Sequence, residues 1–311
     1  MKRNLKLEKR LSARRIILTS FLVDVLDVFL NFFVAILSGS VVMLTQVLEG
    51  LADLSASGFL LIGLSRSLRK EDKTHPFGYG REIYFWTLLS ALVMFGITST
   101  LSFYFGYKRF MQPMQLHDIN LAILVLLLTF FTNGYAFMLS YRRLIRDRSF
   151  LSIVRIFFRS SLVETKTTFT LDLMGTIASF FGLIALLIYA ITGDARFDGL
   201  GAMVIGVSLA VFSIFLVLGI KDMLVGRSAS EETEQKIKDA VLNVEKVKGL
   251  SDLKTLHLGS EKLLVSLDVE IKRVLKKREL ERIIGEIELK IKKVVPSAKY
   301  VFVELGNRNL K

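Results

Sequence analysis

The sequence predicts an all-α membrane bundle of six transmembrane helices, followed by a small cytosolic α+β domain. The chain has 311 residues, of which 52% are hydrophobic, and its mean hydropathy is +0.48. A wholly soluble protein rarely has such a composition, and the apolar residues here lie in long runs. From residue 226 onward, these runs give way to short periodic segments that are typical of a soluble domain.

Six apolar segments are long enough to cross about 30 Å of hydrocarbon, since a helix rises roughly 1.5 Å per residue. The predicted spans are residues 16–37, 41–64, 83–105, 121–141, 162–192 and 197–218, and residues 1–225 form the predicted membrane domain. None of the prolines, Pro76, Pro113 and Pro296, lies in a span. Because proline is the usual cause of a break, we expect continuous helices.

The net charge of +13 comes from basic residues that flank the spans mainly on one side. They precede the first span and fill the second-to-third and fourth-to-fifth connections, whereas the other side has Lys108, Arg109 and an acidic turn ending at Asp198. The positive-inside rule therefore predicts a multi-pass protein of the cell membrane with both termini in the cytoplasm. Nucleic acid is not an expected partner, and the absence of cysteine excludes disulfides and thiolate metal sites.

Residues 226–311 form the predicted C-terminal domain. Its periodic segments are a helix at Glu231–Val247, strands at Asp252–Leu258 and Lys262–Ile271, a second helix that ends before Pro296, and a strand at Lys299–Leu305. The order αββαβ predicts a ferredoxin-like arrangement, in which two helices pack on one face of a three-stranded sheet. A domain of this size has a small core, so we expect it to be stabilised by dimerisation.

Carboxylates inside the predicted spans are the first candidates for function, because each costs about 2.5–3.5 kcal/mol to insert. They are Asp24 and Asp27 in the first span, Glu49 and Asp53 in the second, and Asp172 in the fifth. Glu49 and Asp53 lie one helical turn apart on one face, and Glu164, Thr168 and Asp172 repeat at four-residue intervals. Two such faces in contact would provide an oxygen-lined site for a hard divalent cation. Internal ion pairing is a weaker alternative, since no span has Lys or Arg near its middle.

Two segments resemble the cation diffusion facilitator transporters. The segment Ser40–Ser57, with Glu49-Gly-Leu-Ala-Asp53, resembles helix two of that family, and His75-Pro-Phe-Gly-Tyr-Gly-Arg-Glu82 resembles the loop that follows it. A fifth span containing Leu171-Asp172, the six-helix topology and the αββαβ domain extend the resemblance over nearly the whole chain. It implies a homodimer that exports zinc, manganese, iron or a similar divalent cation in exchange for protons.

The family's tetrahedral transport site would be formed here by Glu49, Asp53, Thr168 and Asp172. The family commonly has Asp or His at the position of Glu49, and His or Asp at that of Thr168. Because a neutral hydroxyl is a poor ligand, water, Glu164 or a first-span acid such as Asp27 remain alternatives for the fourth ligand. An all-oxygen site favours Mn²⁺ or Fe²⁺, with Zn²⁺ a close second.

The loop after the second span has a further candidate metal site. Relatives often bind an extra ion there with Asp, His and another His, and these positions correspond here to Asp72, His75 and Tyr79. The alternative is that His75 stabilises the turn Pro76-Phe77-Gly78. His257 stands alone in the C-terminal domain, which is therefore interpreted as a dimerisation module rather than a metal sensor.

Three functions from different classes remain. The first is a proton-coupled divalent-cation exporter, for which the metal is a substrate and no cofactor is expected. The second, suggested by Thr168, is a transport-inactive member that acts as a membrane scaffold or a regulatory metal-binding protein. The third is an enzyme, but no Ser-His, Cys-His or HExxH arrangement occurs.

Overall fold

A computed structural model describes residues 24–145, 163–260, 262–271 and 277–306. The chain divides into two compact units. The first contains most of the membrane helices, and the second contains Gly63–Phe85 and the chain from Ile220 onward. The connection between Gly63 and Phe85 therefore belongs to the same unit as the C-terminal domain.

The first unit is built from helices α1 to α6. They are α1 (residues 24–38), α2 (Val41–Ser67), α3 (Glu82–Met111), α4 (Ile119–Ile145), α5 (Val163–Thr192) and α6 (Arg196–Val225). Within the described residues, α2 to α6 are long and apolar enough to cross a membrane. Residues 16–23 of the first predicted span lie outside the described residues. The predicted class, an all-α membrane bundle with a small α+β domain, is confirmed.

Helix α3 is continuous, as the absence of proline predicts, but its middle is not a regular α-helix. Residues Met94–Ser99 form a π-helical segment between two α-helical stretches. Wide turns of this kind are uncommon and often occur at functional sites. The segment ends at Ser99, whose hydroxyl donates to the carbonyl of Gly206 in α6 at 2.8 Å.

Helices α3 and α6 pack with their backbones in direct contact. A Cβ atom at Gly106 would lie 2.7 Å from the carbonyl oxygen of Gly199, and one at Gly206 would lie 2.8 Å from the backbone nitrogen of Phe103. Only glycine permits these distances, so the small residues specify which helices are paired.

A buried carboxylate joins α2 to α6. Asp198, in the first turn of α6, is 0% exposed and accepts hydrogen bonds from the Ser40 hydroxyl at 2.6 Å and from the backbone N–H groups of Val41 and Val42 at 2.8 and 3.0 Å. These N–H groups begin α2, where a negative charge is stabilising. The guanidinium of Arg109, near the end of α3, lies 3.6 Å away and also donates to the Gly39 carbonyl. We call this the Asp198 end of the bundle.

The C-terminal domain has the predicted order αββαβ. Its elements are α7 (Glu231–Leu242), β1 (Val247–Gly259), β2 (Lys262–Ile271), α8 (Lys277–Val294) and β3 (Ala298–Gly306). The sheet order is β1-β2-β3, with β1 and β2 antiparallel and β2 and β3 parallel. Apolar residues of both helices and the sheet form one core, including Ile237, Val241, Val265, Leu267, Ile283 and Ile287.

The first helix of this domain is shorter than its apolar pattern predicts. The spacing extends the helix to Val247, but α7 ends at Leu242 and β1 already begins at Val247. Val244 and Val247 are buried in the same core as the helix, so their periodicity reflects burial rather than helical backbone.

Candidate functional site

The candidate carboxylates belong to α1, α2 and α5. Glu49 is 5% exposed, and Asp24, Asp27, Asp53 and Asp172 are partly buried. Asp53 lies within electrostatic range of Glu49, Asp24, Asp172 and Asp27. The structure therefore places the acids of three predicted spans in one electrostatic neighbourhood.

These acids are not gathered to coordination distance. Among the residues that the structure describes, no group of three or more His, Cys, Asp or Glu side chains lies close enough to hold a metal ion. Thr168 is partly buried one turn before Asp172, and the side chain of Glu164 lies outside the described residues. The repulsion between unscreened carboxylates in an apolar bundle favours such separation.

Hydroxyl and amide groups hold two of the carboxylates. The Ser140 hydroxyl of α4 donates to Asp172. Asp27 accepts hydrogen bonds from the side chain of Asn31 at 3.0 Å and from the Thr129 hydroxyl at 3.3 Å. Such contacts restrict the carboxylates to a few orientations, as outer partners do for metal ligands in general.

The contribution of α4 is absent from the sequence-based prediction. Thr129, Asn133 and Ser140 follow at intervals of four and seven residues, so they share one face of an otherwise apolar helix. Neutral polar residues are far less costly in a span than carboxylates, so each alone is a weak indication of function. Their helical spacing was the available signal.

The loop after α2 uses Asp72 to shape a turn. One oxygen of its carboxylate accepts from the Thr74 N–H and hydroxyl and the His75 N–H at 2.7–2.9 Å, and the other accepts from the Tyr79 hydroxyl at 2.6 Å. These hydrogen bonds, that of Tyr79 first, hold the pKa of Asp72 well below its usual range. The His75 ring lies 3.7 Å from the carboxylate and packs at a tilt against the Tyr79 ring, with the ring centroids 4.1 Å apart. This geometry favours the turn-stabilising alternative, with Asp72 rather than His75 at its centre.

The same loop packs on the C-terminal sheet. The carboxylate of Glu71 accepts from Lys299 and, at 2.8 Å, from the Tyr300 hydroxyl, while the Phe77 ring meets the Tyr300 ring edge-on. The contact is close, since a Cβ at Gly80 would lie 2.1 Å from the Leu258 carbonyl oxygen. Hydrogen bonds from Lys299, from its own backbone and from Tyr300 lower the pKa of Glu71 to about 2.

We expect docking of this loop to weaken in acid. Because the pKa of Glu71 is lowered on folding, its contribution is fully present above the ordinary value of about 4.5 and is lost as the pH falls toward 2. Hydrogen exchange of residues 72–79, corrected for intrinsic rates, should show less protection at pH 3 than at pH 6. Glu71→Gln should reduce this dependence and leave the part that Asp72 contributes, whereas Glu286→Gln, which affects an exposed pair on α8, should keep it in full. Equal protection of wild type at both pH values would contradict the prediction.

The C-terminal domain offers little for metal binding in the residues that the structure describes. His257 is half-buried on β1, and its backbone N–H donates to the carbonyl of Arg227 at 3.0 Å. No cluster of three potential ligands surrounds it among the described residues.

The fold and the acidic interior define the class: a multi-pass membrane protein whose helices enclose carboxylates. Comparison with known proteins narrows this class. Residues 17–221 match the cation efflux transmembrane domain, and residues 229–305 match the cytoplasmic domain of cation efflux proteins. The chain belongs to the cation diffusion facilitator family, a family of transporters.

Relatives are distant but cover most of the chain. The proton-coupled zinc antiporter SLC30A9, mitochondrial, of Homo sapiens is 23% identical over 282 residues, which are 88% of this chain and 50% of the relative. Metal tolerance protein C4 of Arabidopsis thaliana is 24% identical over 79% of this chain and 54% of its own. Cation-efflux pump FieF of Pectobacterium atrosepticum is 23% identical over 85% of this chain and 83% of its own length. The chain spans about half the length of the first two relatives.

Proposed function

We propose that the protein is a proton-coupled antiporter that moves divalent metal cations out of the cytosol. Family membership and the names of the relatives, a proton-coupled zinc antiporter and a cation-efflux pump, support this function. The observation that carries it is the position of Asp53, which lies within electrostatic range of four other carboxylates inside an apolar bundle. Such a concentration of negative charge is costly unless a cation or protons neutralise it.

The proposed transport site consists of Glu49, Asp53, Thr168 and Asp172. The carboxylates from α2 and α5 balance the charge of the ion, and the hydroxyl of Thr168 provides a weak ligand or holds a water ligand. Because the acids are separated in the described structure, an arriving cation must draw them together. Metal ligands bind in their deprotonated form, so metal binding releases protons and couples the two fluxes.

Two residues outside the four proposed ligands assist the transport site. Ser140 orients Asp172 through its hydrogen bond, and Asp27, which lies within electrostatic range of Glu49, is the proposed auxiliary ligand or relay. Glu164 remains the alternative fourth ligand.

A site made only of oxygen ligands favours manganese or iron as the transported ion. Carboxylates and hydroxyls suit hard cations, whereas zinc sites usually contain nitrogen or sulfur. Zinc is the second candidate, since carboxylates also bind it and one relative is named for zinc. Asp72 and His75 contribute no second metal site in this proposal, because Asp72 already accepts four hydrogen bonds.

The protein is proposed to act as a homodimer in the cell membrane, with both termini in the cytoplasm. The charge asymmetry of the connections supports the orientation, and the small size of the C-terminal domain supports dimerisation. Because the chain has no cysteine, single introduced cysteines report topology and cross-linking without background. A monomeric mass in mild detergent, without cross-links between C-terminal domains, would contradict the dimer.

Flux measurements with purified protein in proteoliposomes test the function. We expect Mn²⁺ and Fe²⁺ to move fastest across an imposed pH gradient, followed by Zn²⁺ and Co²⁺, with Mg²⁺ slowest. Each flux should collapse when the gradient is dissipated. A folded protein that binds these ions without moving any of them would instead support the scaffold alternative.

A further inference from the structure

Three buried polar side chains of α1, α2 and α4 lie in the spans that surround the proposed site. Asn31 of α1 is 0% exposed, Gln46 of α2 is 3% exposed, and Thr129 of α4 is 2% exposed. Asn31 and Thr129 are connected through Asp27, which accepts hydrogen bonds from both. Gln46 lies three residues before Glu49, on the same face of α2.

The register of α1 and α2 places Asn31 beside Gln46. The two helices are antiparallel, since only residues 39 and 40 separate them. They touch at Val28 and Gly50, where a Cβ on Gly50 would lie 2.5 Å from the Val28 side chain. One helical turn from this contact toward the Asp198 end leads to Asn31 on α1 and to Gln46 on α2.

Asn31, Gln46 and Glu49 each have one buried polar atom without a hydrogen-bonding partner among the described residues. These atoms are Oδ1 of Asn31, Nε2 of Gln46 and Oε1 of Glu49. Buried polar groups are nearly always paired, so such a set needs an explanation. By contrast, the neighbouring hydroxyl of Thr45, also 0% exposed, donates to the Val41 carbonyl of its own helix at 3.0 Å.

We propose that Asn31 and Gln46 form a second cation station, one helical turn from Glu49, and that the free oxygen of Glu49 is shared between this station and the transport site. It receives a partly hydrated divalent cation that leaves Asp53 and Asp172 toward the Asp198 end. Oxygen atoms of Asn31 and Glu49 accept hydrogen bonds from the waters of the ion or bind it directly. The amide of Gln46 presents its oxygen to the ion after a half-turn of its terminal group. The station rests on the proposed transport function.

Its position follows from the chemistry of release. A cation cannot move from a carboxylate site into an apolar passage without losing several ligands at once. Neutral amide oxygens replace these ligands without adding charge, so they hold the ion more weakly than the carboxylates do. A weak site next to a strong one allows the ion to leave in two smaller steps.

Kinetics of Mn²⁺ flux and equilibrium Mn²⁺ binding by the full chain test the station. Asn31→Leu and Gln46→Met preserve volume and remove the oxygen, and they should lower kcat by about tenfold, the value of one lost polar contact. The equilibrium Kd should change less than about threefold, because Asp53 and Asp172 remain. Gln46→Glu, which keeps an oxygen at the same reach but adds a negative charge, should instead lower the equilibrium Kd, because it holds the ion more tightly. Thr45→Val is the matched buried control and should leave flux unchanged.

The outcomes separate this station from the function on which it depends. If wild type binds Mn²⁺ but does not transport it, the proposed transport function itself is contradicted. If wild type transports Mn²⁺ and both Asn31→Leu and Gln46→Met keep the wild-type kcat, the second cation station is contradicted and the transport function is not. A Gln46→Glu variant that binds Mn²⁺ no more tightly than wild type would also overturn the station, because residue 46 would then not face the ion.

Discussion

Replacing Asp53 or Asp172 with alanine is expected to abolish metal flux in a protein that still folds. Each change removes one negative charge from a site that must balance a divalent ion at low dielectric. The loss should be several kcal/mol, or about a hundredfold or more in affinity. Calorimetric binding and proteoliposome flux measure both quantities. Asp222→Ala, which removes an exposed carboxylate near the end of α6, is the control and should behave as wild type.

Thr168 should instead determine which metal is moved. Thr168→Ala removes a neutral ligand or a water contact, which is worth roughly 1 kcal/mol. Thr168→His provides an imidazole nitrogen and should shift the preference toward Zn²⁺ over Mn²⁺. Full transport by Asp53→Ala or Asp172→Ala would exclude the proposed site. An unchanged metal preference in Thr168→His would exclude only the role of Thr168 and would favour Glu164 or Asp27 as the fourth ligand.

Asp198→Ala should be among the most destabilising single substitutions in the membrane unit. It leaves Arg109, whose side chain is 11% exposed, without its buried partner and removes the acceptor of two N–H groups at the start of α2. Loss of one member of a buried ion pair costs about 3–5 kcal/mol. Denaturant unfolding in detergent measures the change.

Two further variants show where this energy comes from. Arg109→Ala combined with Asp198→Ala should cost less than the sum of the single changes, because the pair is then removed together. Asp194→Ala, four residues earlier in the same turn, should cost below about 1 kcal/mol, since its bond to the Arg196 N–H is at the surface. Similar costs for Asp194→Ala and Asp198→Ala would refute the role of the buried network.

A feature of this molecule can be predicted from the sequence where its residues are energetically costly at their positions or follow a clear periodicity. The acids of α1, α2 and α5 were identifiable because a carboxylate in an apolar span is rare and expensive. The αββαβ domain was identifiable because strand and helix periods differ, although Val244 and Val247, which continue the helical spacing, lie beyond the end of α7.

Asp198 shows why the remaining features were not predictable. In the sequence it ends a short acidic turn beside Asp194, and both residues suggest a solvated connection. Only the folded chain brings it to Ser40, 158 positions away, where it becomes fully buried. Likewise, Ser140 becomes relevant only because α4 packs beside Asp172. Long-range pairing of this kind leaves no local pattern in a single sequence.

The packing of the loop between α2 and α3 against the C-terminal domain has a consequence for biogenesis. Gly80 fits against Leu258 and Gly259, which leave the ribosome about 180 residues later. At a synthesis rate of about 5–20 residues per second, the loop is exposed for roughly 10–35 s before its partner exists. During this interval Phe77 has no Tyr300 ring to cover it. The nascent chain therefore passes through a stage in which the membrane helices are made while the unpacked loop remains accessible to chaperones and proteases, and a stop codon before β1 makes that stage permanent.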